Sequence, residues 1–464
     1  MENKSCKMQL GQFSKVLQLH KKEDMLERKN YLPVSILSPL SKVLEKIVYE
    51  QIYSYFTRNH LFHPNLHGYR GNRSTQTALL QMYDRWVRSA HAGQLSGVVL
   101  LDLSAAFDLV DPDLLLQKLR VYGFDDNALA WVRSYLTDRH QAVWIDHVLS
   151  DFLSCQVGVP QGSNLGPLFF LIFYNDLPFS IDCSVDAYAD DSIMTVTGKT
   201  VEDIGTKLTE NCDLVSNWML GNKLKLNAGK THLLTVGTSA RLRMQDSKVV
   251  VKMDGIILEE SEEKFETLLG CQIEPNLKWH KQVEELLKKL KTRLTALENL
   301  RNIIPYHLRK RITEGIFTSV LTYCIPLFGG CDKFELEAIQ IMQNKAARLV
   351  THSDIRTSRQ AIYSQVGWMT VKQLTFYHSA LSTFRIWQSQ EPEYLNTIMN
   401  RNNRANEIII PNTDLTLAKN SFCFRASAEW NSIPEIMRNN LKISQFKSQL
   451  KKWILQNVSQ FPDT

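Results

Sequence analysis

Ser184-Val185-Asp186-Ala187-Tyr188-Ala189-Asp190-Asp191-Ser192-Ile193-Met194-Thr195-Val196 is the stretch on which the reading of this chain turns. Two short runs, Ser184 to Ala189 and Ser192 to Val196, flank a pair of aspartates. Runs of this length read as strands, and two residues between them read as a tight hairpin with acids at its tip. Upstream, Gly97-Val98-Val99-Leu100-Leu101-Asp102-Leu103 is another apolar run, whose length and valines mark a buried strand carrying a carboxylate near its end. If these strands are neighbours in one sheet, Asp102 and Asp190 face a common point. Alternation along the backbone lets only one of Asp190 and Asp191 aim straight at it, so Asp190 is assigned as direct metal ligand and Asp191 as an outer contributor. Hard divalent cations take few carboxylates and keep positions for phosphate oxygens. Two of them can activate a hydroxyl and stabilise a departing pyrophosphate. Between the two segments, Gly158-Val159-Pro160-Gln161-Gly162-Ser163 suits close backbone approach to a nucleotide or template strand, and Gln161 can donate to a sugar or phosphate. The three segments together describe metal-dependent phosphoryl transfer.

The rest of the sequence is compatible with that chemistry. The chain has 464 residues, 44% hydrophobic and 22% charged, with a net charge of +6. These values exclude collagen-like, mucin-like and wholly disordered chains, and the length predicts two or three domains. The mild basic excess permits a nucleic-acid partner without requiring one. Eight cysteines lie at 6, 155, 183, 212, 271, 324, 331 and 423 without CxxC spacing, which reads as reduced core residues of an intracellular protein. No apolar run reaches the roughly 18–20 residues of a membrane span, and the N-terminus lacks the apolar core of a signal peptide.

Periodicity predicts helices over 40–56, with Ser41 and Glu45 near its cap, and over 76–90, 113–122, 128–136 and 165–174. A strand pair is expected at 141–145 and 152–157, and further strands within 249–258. Basic helices follow at 281–302 and 336–350, and short helical segments alternating with polar loops from Ser353 onward. Boundaries are expected near 240 and 352.

The ordered motifs resemble the reverse transcriptase of non-LTR (LINE-type) retrotransposons. The match rests on YADD at 188–191, LDLSAAFD at 101–108 and GVPQGSNLGP at 158–167. It extends to Asn30-Tyr31-Leu32-Pro33-Val34-Ser35, to His67-Gly68-Tyr69-Arg70 with Arg73-Ser74-Thr75, and to Trp218, Asn222, Asn227 and Lys230. Leu268-Leu269-Gly270 resembles the family's primer-grip hairpin, and Ser421 to Lys451 its C-terminus, so nearly the whole chain is covered. The resemblance implies a right-hand polymerase: α/β fingers and palm at 1–240, primer grip and helical thumb at 241–352, and a helical C-terminal region at 353–464. It implies RNA-directed DNA synthesis (a nucleotidyltransferase activity) with Mg²⁺ or Mn²⁺ on Asp102, Asp190 and Asp191. Phe107 stands at the steric-gate position, Gln161 contacts the incoming deoxynucleotide, Arg70 and Arg73 neutralise its triphosphate, and Lys230 protonates the leaving pyrophosphate. Lys288, Lys289, Lys291 and Arg293 on the thumb helix are the candidate contacts to nucleic acid. The implied partners are an RNA template, a DNA primer or nicked target DNA, and deoxynucleoside triphosphates, with action in the nucleus or cytoplasm.

Plainer readings stand beside these. Phe107 also reads as core, Asp108 as the cap of the next helix, and Arg70, Arg73, Lys230 and the thumb lysines as solvated charges. Leu32 occupies a position where the family usually has Arg, and the customary Pro and Gly are missing around Lys21-Lys22-Glu23-Asp24. The reading expects no endonuclease domain of the family before the fingers segment and no Cys/His knuckle or RNase H domain after it. A truncated element product, part of a longer reading frame, or an inactive remnant that retains RNA binding is therefore the rival expectation. A maturase-like or telomerase-like relative is a further rival, opposed by the C-terminal motifs.

Overall fold

The structure is a computed structural model that describes residues 13–20, 24–27, 30–103, 105–145, 147–245, 247–258, 260, 265–402, 406–439 and 442–457. Lys21, Lys22, Glu23, Lys29, Ser104 and the side chain of Leu32 lie outside the described residues.

Along the chain, β1 (Phe13–His20) and β2 (Tyr31–Ile36) lead into helix α1 (Pro39–Arg58) and helix α2 (Thr75–His91). Strand β3 (Leu95–Leu101) is followed by α3 (Pro112–Val121), α4 (Asp126–Leu136) and strands β4 (Arg139–Ile145), β5 (Val148–Leu149) and β6 (Leu153–Cys155). Then come α5 (Leu165–Tyr174), the hairpin β7 (Ser184–Tyr188) and β8 (Asp191–Gly198), α6 (Val201–Gly221) and β9 (His232–Val236). Two sheets result. One has the order β2-β1-β4-β5 with β6 also on β4, and the other is antiparallel with the order β7-β8-β3-β9.

The second sheet is the organising layer. Its strands alternate their side chains between two faces, and both faces are covered. Val99, Leu101, Met194 and Leu233 point into a core shared with α5 and α6, whereas Val98, Ile193 and Leu234 point into a core shared with α2. This double burial is why β3 reads as a continuous apolar run. Helix α5 (LGPLFFLIFY) is apolar all round because it is buried all round. Helix α6 lies so close to the sheet that a Cβ at Gly97 would collide with Ile204 and come within 2.8 Å of Leu208.

Beyond the sheet, the hairpin Glu266–Leu268/Cys271–Ile273 turns through Leu269 and Gly270, both at positive φ. Helices His280–Leu300, Lys333–Thr351 and Val371–Ser389 follow, and their buried residues join the core that contains α2. The thiols of Cys155, Cys183, Cys212, Cys271, Cys324, Cys331 and Cys423 are all free. Among the described residues no helix is long and apolar enough to cross a membrane.

Two expectations need correction. Ser41 and Glu45 do not cap α1, which starts at Pro39 after Ser38 and has no side-chain cap bond. They are buried, and the Glu45 carboxylate accepts from Asn164 N (2.7 Å), Tyr135 Oη (3.0 Å) and Ser41 Oγ (3.3 Å), which ties α1 to α4 and to the entry of α5. The C-terminal segments are also not uniformly short, since Val371–Ser389 spans 19 residues. Its core face carries Thr375, Ser379, Ser382 and Thr383, which interrupt the apolar period. The hydroxyls of Thr375, Ser382 and Thr383 are satisfied within the helix by bonds to the carbonyl four residues back.

Substituting Gly97 with Ala forces α6 away from the sheet. The expected cost is about 1–3 kcal/mol of stability, read as a lowered denaturant midpoint.

Candidate active site

The site starts from strand pairing. Leu101 is opposite Ser192 in the β3–β8 ladder, and Tyr188 is opposite Asp191 across the hairpin. Asp102, the next residue after β3, therefore stands beside Asp191, while Ala189 (φ +60°) and Asp190 form the turn. The Asp102 carbonyl accepts from Asn227 N at 2.9 Å, and Leu103 bridges to Leu226. Asp102 is half-buried; Asp190 and Asp191 are exposed. Partial desolvation, then the negative charges of Asp190 and Asp102, raise the Asp191 carboxyl above its ordinary value. Burial and the Asp190 charge likewise raise the Tyr69 hydroxyl. The structure thus brings the three aspartates into one electrostatic neighbourhood. Among the described residues, the group of three metal-ligand types within 4.8 Å of one another is His280, Asp332 and Glu335, and the aspartates do not form such a group.

The hairpin is held from its outer edge. His67 N donates to Ala187 O (2.7 Å), Ala187 N donates to Asn65 O (3.0 Å), and Leu66 bridges Ala187 in parallel. A Cβ at Gly68 would collide with the backbone nitrogen of Ala189, so this segment can lie on the turn only because position 68 lacks a side chain. Behind the strand, buried Asp186 accepts from Gln81 Nε2 (2.8 Å) and Arg85 Nη1 (2.6 Å), with His67 Nε2 at 3.5 Å. Arg85 also donates to Ser184 Oγ (2.7 Å) and Asn65 Oδ1 (2.9 Å). Sequence reasoning missed this network. The one signal for it was Gln81 and Arg85 four residues apart on a helix, facing an acid in an apolar strand.

The Gly-rich segment lies against the turn after β3. Gly158 N donates to Val110 O (2.8 Å) and Val159 N to Phe107 O (2.9 Å), and Ser35 N of β2 donates to Gln161 O (2.8 Å). The Gln161 side chain donates to Asp108 Oδ1 (2.9 Å). Asp108 is therefore not a helix cap. Asp111 caps α3, accepting from Asp113 N and Leu114 N, each at 3.0 Å. Desolvation raises the Asp108 carboxyl, and the Gln161 bond opposes the rise. The half-buried Phe107 ring stacks on Phe170 at 4.5 Å and meets Tyr69 edge-on at 6.1 Å. A cavity of about 320 Å³ opens here, lined by Ser35, Asp108, Arg139, Gln141 and Gln161 among others.

The remaining candidates are placed differently. Arg73 is fully buried and bonds to Glu391 and Pro64 O. Arg70 donates to His63 O (2.9 Å) and Leu66 O (3.2 Å), with Glu391 at 3.5 Å. Burial, and then the Arg73 charge, pull Arg70 down to about 10, so it stays charged at neutral pH. Both guanidinium groups are engaged by Glu391. Lys230 is exposed, on a turn whose Asn227 holds the Asp102 carbonyl. On the helix His280–Leu300, Lys288 pairs with Glu284 (2.8 Å) and Glu285 (2.9 Å), which raise its ammonium pKa. Lys289, Lys291 and Arg293 are exposed.

A family model described as reverse transcriptase (RNA-dependent DNA polymerase) matches residues 19–303, which include every segment of this site except Glu391. A probable RNA-directed DNA polymerase from transposon BS of Drosophila melanogaster is 23% identical over 386 residues, covering 80% of this chain and 42% of that protein. The RNA-directed DNA polymerase from mobile element jockey of Drosophila funebris is 24% identical over 337 residues, covering 70% of this chain and 36% of that protein. The chain thus spans about two-fifths of the length of these curated relatives. Among solved structures, apo telomerase from Candida tropicalis aligns with a TM-score of 0.47 at 11% identity, covering 99% of this chain and 69% of that one.

A carboxyl whose pKa is raised by folding holds its proton more tightly in the folded chain. Asp191 therefore favours the fold at low pH, and that contribution disappears as pH rises through its folded value. Asp102→Asn removes one of the charges responsible, so the Asp191 midpoint should move down, seen in carboxyl NMR titration. An unmoved midpoint would assign the shift to burial and Asp190 alone.

Proposed function

The chain belongs to the reverse transcriptase family, and we propose that it is an RNA-directed DNA polymerase of a non-LTR retrotransposon, extending a primer 3′-hydroxyl with deoxynucleotides on an RNA template. The observation that carries this reading is the meeting of Asp102 with the Asp190–Asp191 hairpin tip at one end of one sheet. Three carboxylates at one sheet end, Asp191 raised by burial and then by Asp190 and Asp102, are the ligand type a hard divalent cation takes, and a bound ion would draw their oxygens closer than the structure holds them. Asp102 and Asp190 would hold Mg²⁺, or Mn²⁺ in its place, with Asp191 in support. Two such ions, when bound, supply activation of the primer hydroxyl and neutralisation of the departing pyrophosphate.

The chain's own residues complete the proposal. The Phe107 ring, held by its stack on Phe170, serves in this reading as the gate that excludes a 2′-hydroxyl. Gln161, held by Asp108 on the wall of the cavity, offers an amide to the incoming nucleotide. Lys230, on the turn tied to Asp102, carries a proton for the leaving group. Lys289, Lys291 and Arg293 offer exposed charges to nucleic-acid phosphates, a contact that weakens with salt. In this reading residues 1–240 serve as fingers and palm, 241–352 as primer grip and thumb, and 353–464 as a helical C-terminal region. A nicked DNA end supplies the primer, which requires access to the nucleus.

Primer extension on an RNA template with Mg²⁺ tests the reading. Asp190→Ala should lower the rate about a thousandfold or more, ~4 kcal/mol of barrier, while RNA binding stays within about twofold. Equal extension by both proteins would remove the aspartate centre from the mechanism. Absence of extension by the unmutated chain, despite RNA binding, would support the remnant reading.

A further inference from the structure

We propose that the short segment Glu391 to Tyr394, more than 190 residues beyond the hairpin in sequence, positions the strand that leads into the aspartate turn. The proposal rests on the polymerase reading only for its effect on rate; its structural part stands alone.

The argument begins with an edge. Strand β7 is at the edge of its sheet, with β8 on one side only. Its other side is met by the segment around Asn65 to His67, through the two backbone bonds at Ala187. An edge strand held by so few bonds is among the more easily opened parts of a fold. Whatever fixes residues 63–67 therefore fixes β7, and with it the turn that carries Asp190.

Two independent lines run from Glu391–Tyr394 to this place. In the first, Glu391 balances the charges of Arg70 and Arg73. Those guanidinium groups hold the carbonyls of His63, Pro64 and Leu66, which flank Asn65 on both sides. Arg73 is fully buried, and a buried cation without its partner is strongly unfavourable, so the loop's geometry depends on Glu391. In the second line, the Tyr394 ring lies 4.7 Å from the Arg85 guanidinium, and its hydroxyl donates to Asp84 at 2.9 Å. Arg85 in turn holds Asp186 and Ser184 of β7 and also Asn65. Both lines end at Ala187 and Asp186, three and four residues before Asp190. Glu391, Tyr394, Arg85 and Asp186 are thereby positioning residues, acting through the strand and not on substrate.

The test uses the full chain with Glu391→Gln and, separately, Tyr394→Ala, and reads native-state hydrogen exchange at the amides of His67 and Ala187. Exchange at these two amides should accelerate about tenfold or more, while the central amides of β3 change much less. Tyr394→Phe, which keeps the ring beside Arg85, should restore most of the protection. In primer extension the same variants should lower the maximal rate more than they raise the KM for deoxynucleotide. Unchanged exchange at His67 and Ala187 would overturn the proposal. So would an equal acceleration throughout β3, which would mark general destabilisation. If the unmutated chain extends no primer, the polymerase reading fails, and the exchange measurement still decides the positioning claim.

Discussion

The ladder that sets Leu101 opposite Ser192 also sets Asp102 beside Asp191, and most of the surrounding structure can be understood from that juxtaposition. Like charges gathered at one sheet end push apart, and burial together with Asp190 and Asp102 raises the Asp191 carboxyl. They stay together here because the backbone that carries them is over-determined. β3 is paired on both sides, by β8 and β9, and both of its faces are buried. A sheet exposed on one face would leave the strand ends freer to separate.

The hairpin needs further support because β7 is an edge. Much of that support is ionic and buried: Asp186 with Arg85 and Gln81 behind the strand, and Arg70 and Arg73 with Glu391 beside it. Such networks add little net stability compared with well-packed apolar side chains, but they are specific in geometry. Specific geometry is what a site built from a few carboxylates requires. The same logic applies to Glu45, whose three hydrogen bonds fix the entry of α5 next to the Gly-rich segment.

The architecture was legible wherever one physical signal dominated. Apolar period located α1 to α5, and the flanked acids located the β7–β8 hairpin, with ends within about two or three residues, the usual uncertainty of such boundaries. The meeting of Asp102 with the hairpin was conditional on the strands being neighbours, and the β3–β8 ladder supplies that condition. Reading failed where polar residues serve the interior. Thr375, Ser379, Ser382 and Thr383 masked the length of one helix, and Ser41 and Glu45 resembled a cap although they are buried. Asp108 and Asp111 are three residues apart and chemically identical, so only the fold could tell which one caps α3. The partner of Arg70 and Arg73 lies more than 300 residues away, and no local pattern announces it.

The central claim is that Asp102 and the hairpin tip form a divalent-cation site. Crystals of the full chain soaked in Mn²⁺ and measured at the manganese absorption edge test it most directly. The account predicts anomalous density between Asp102 and Asp190, lost in Asp102→Asn crystals. Density confined to His280, Asp332 and Glu335, with the aspartates free of metal, would contradict it.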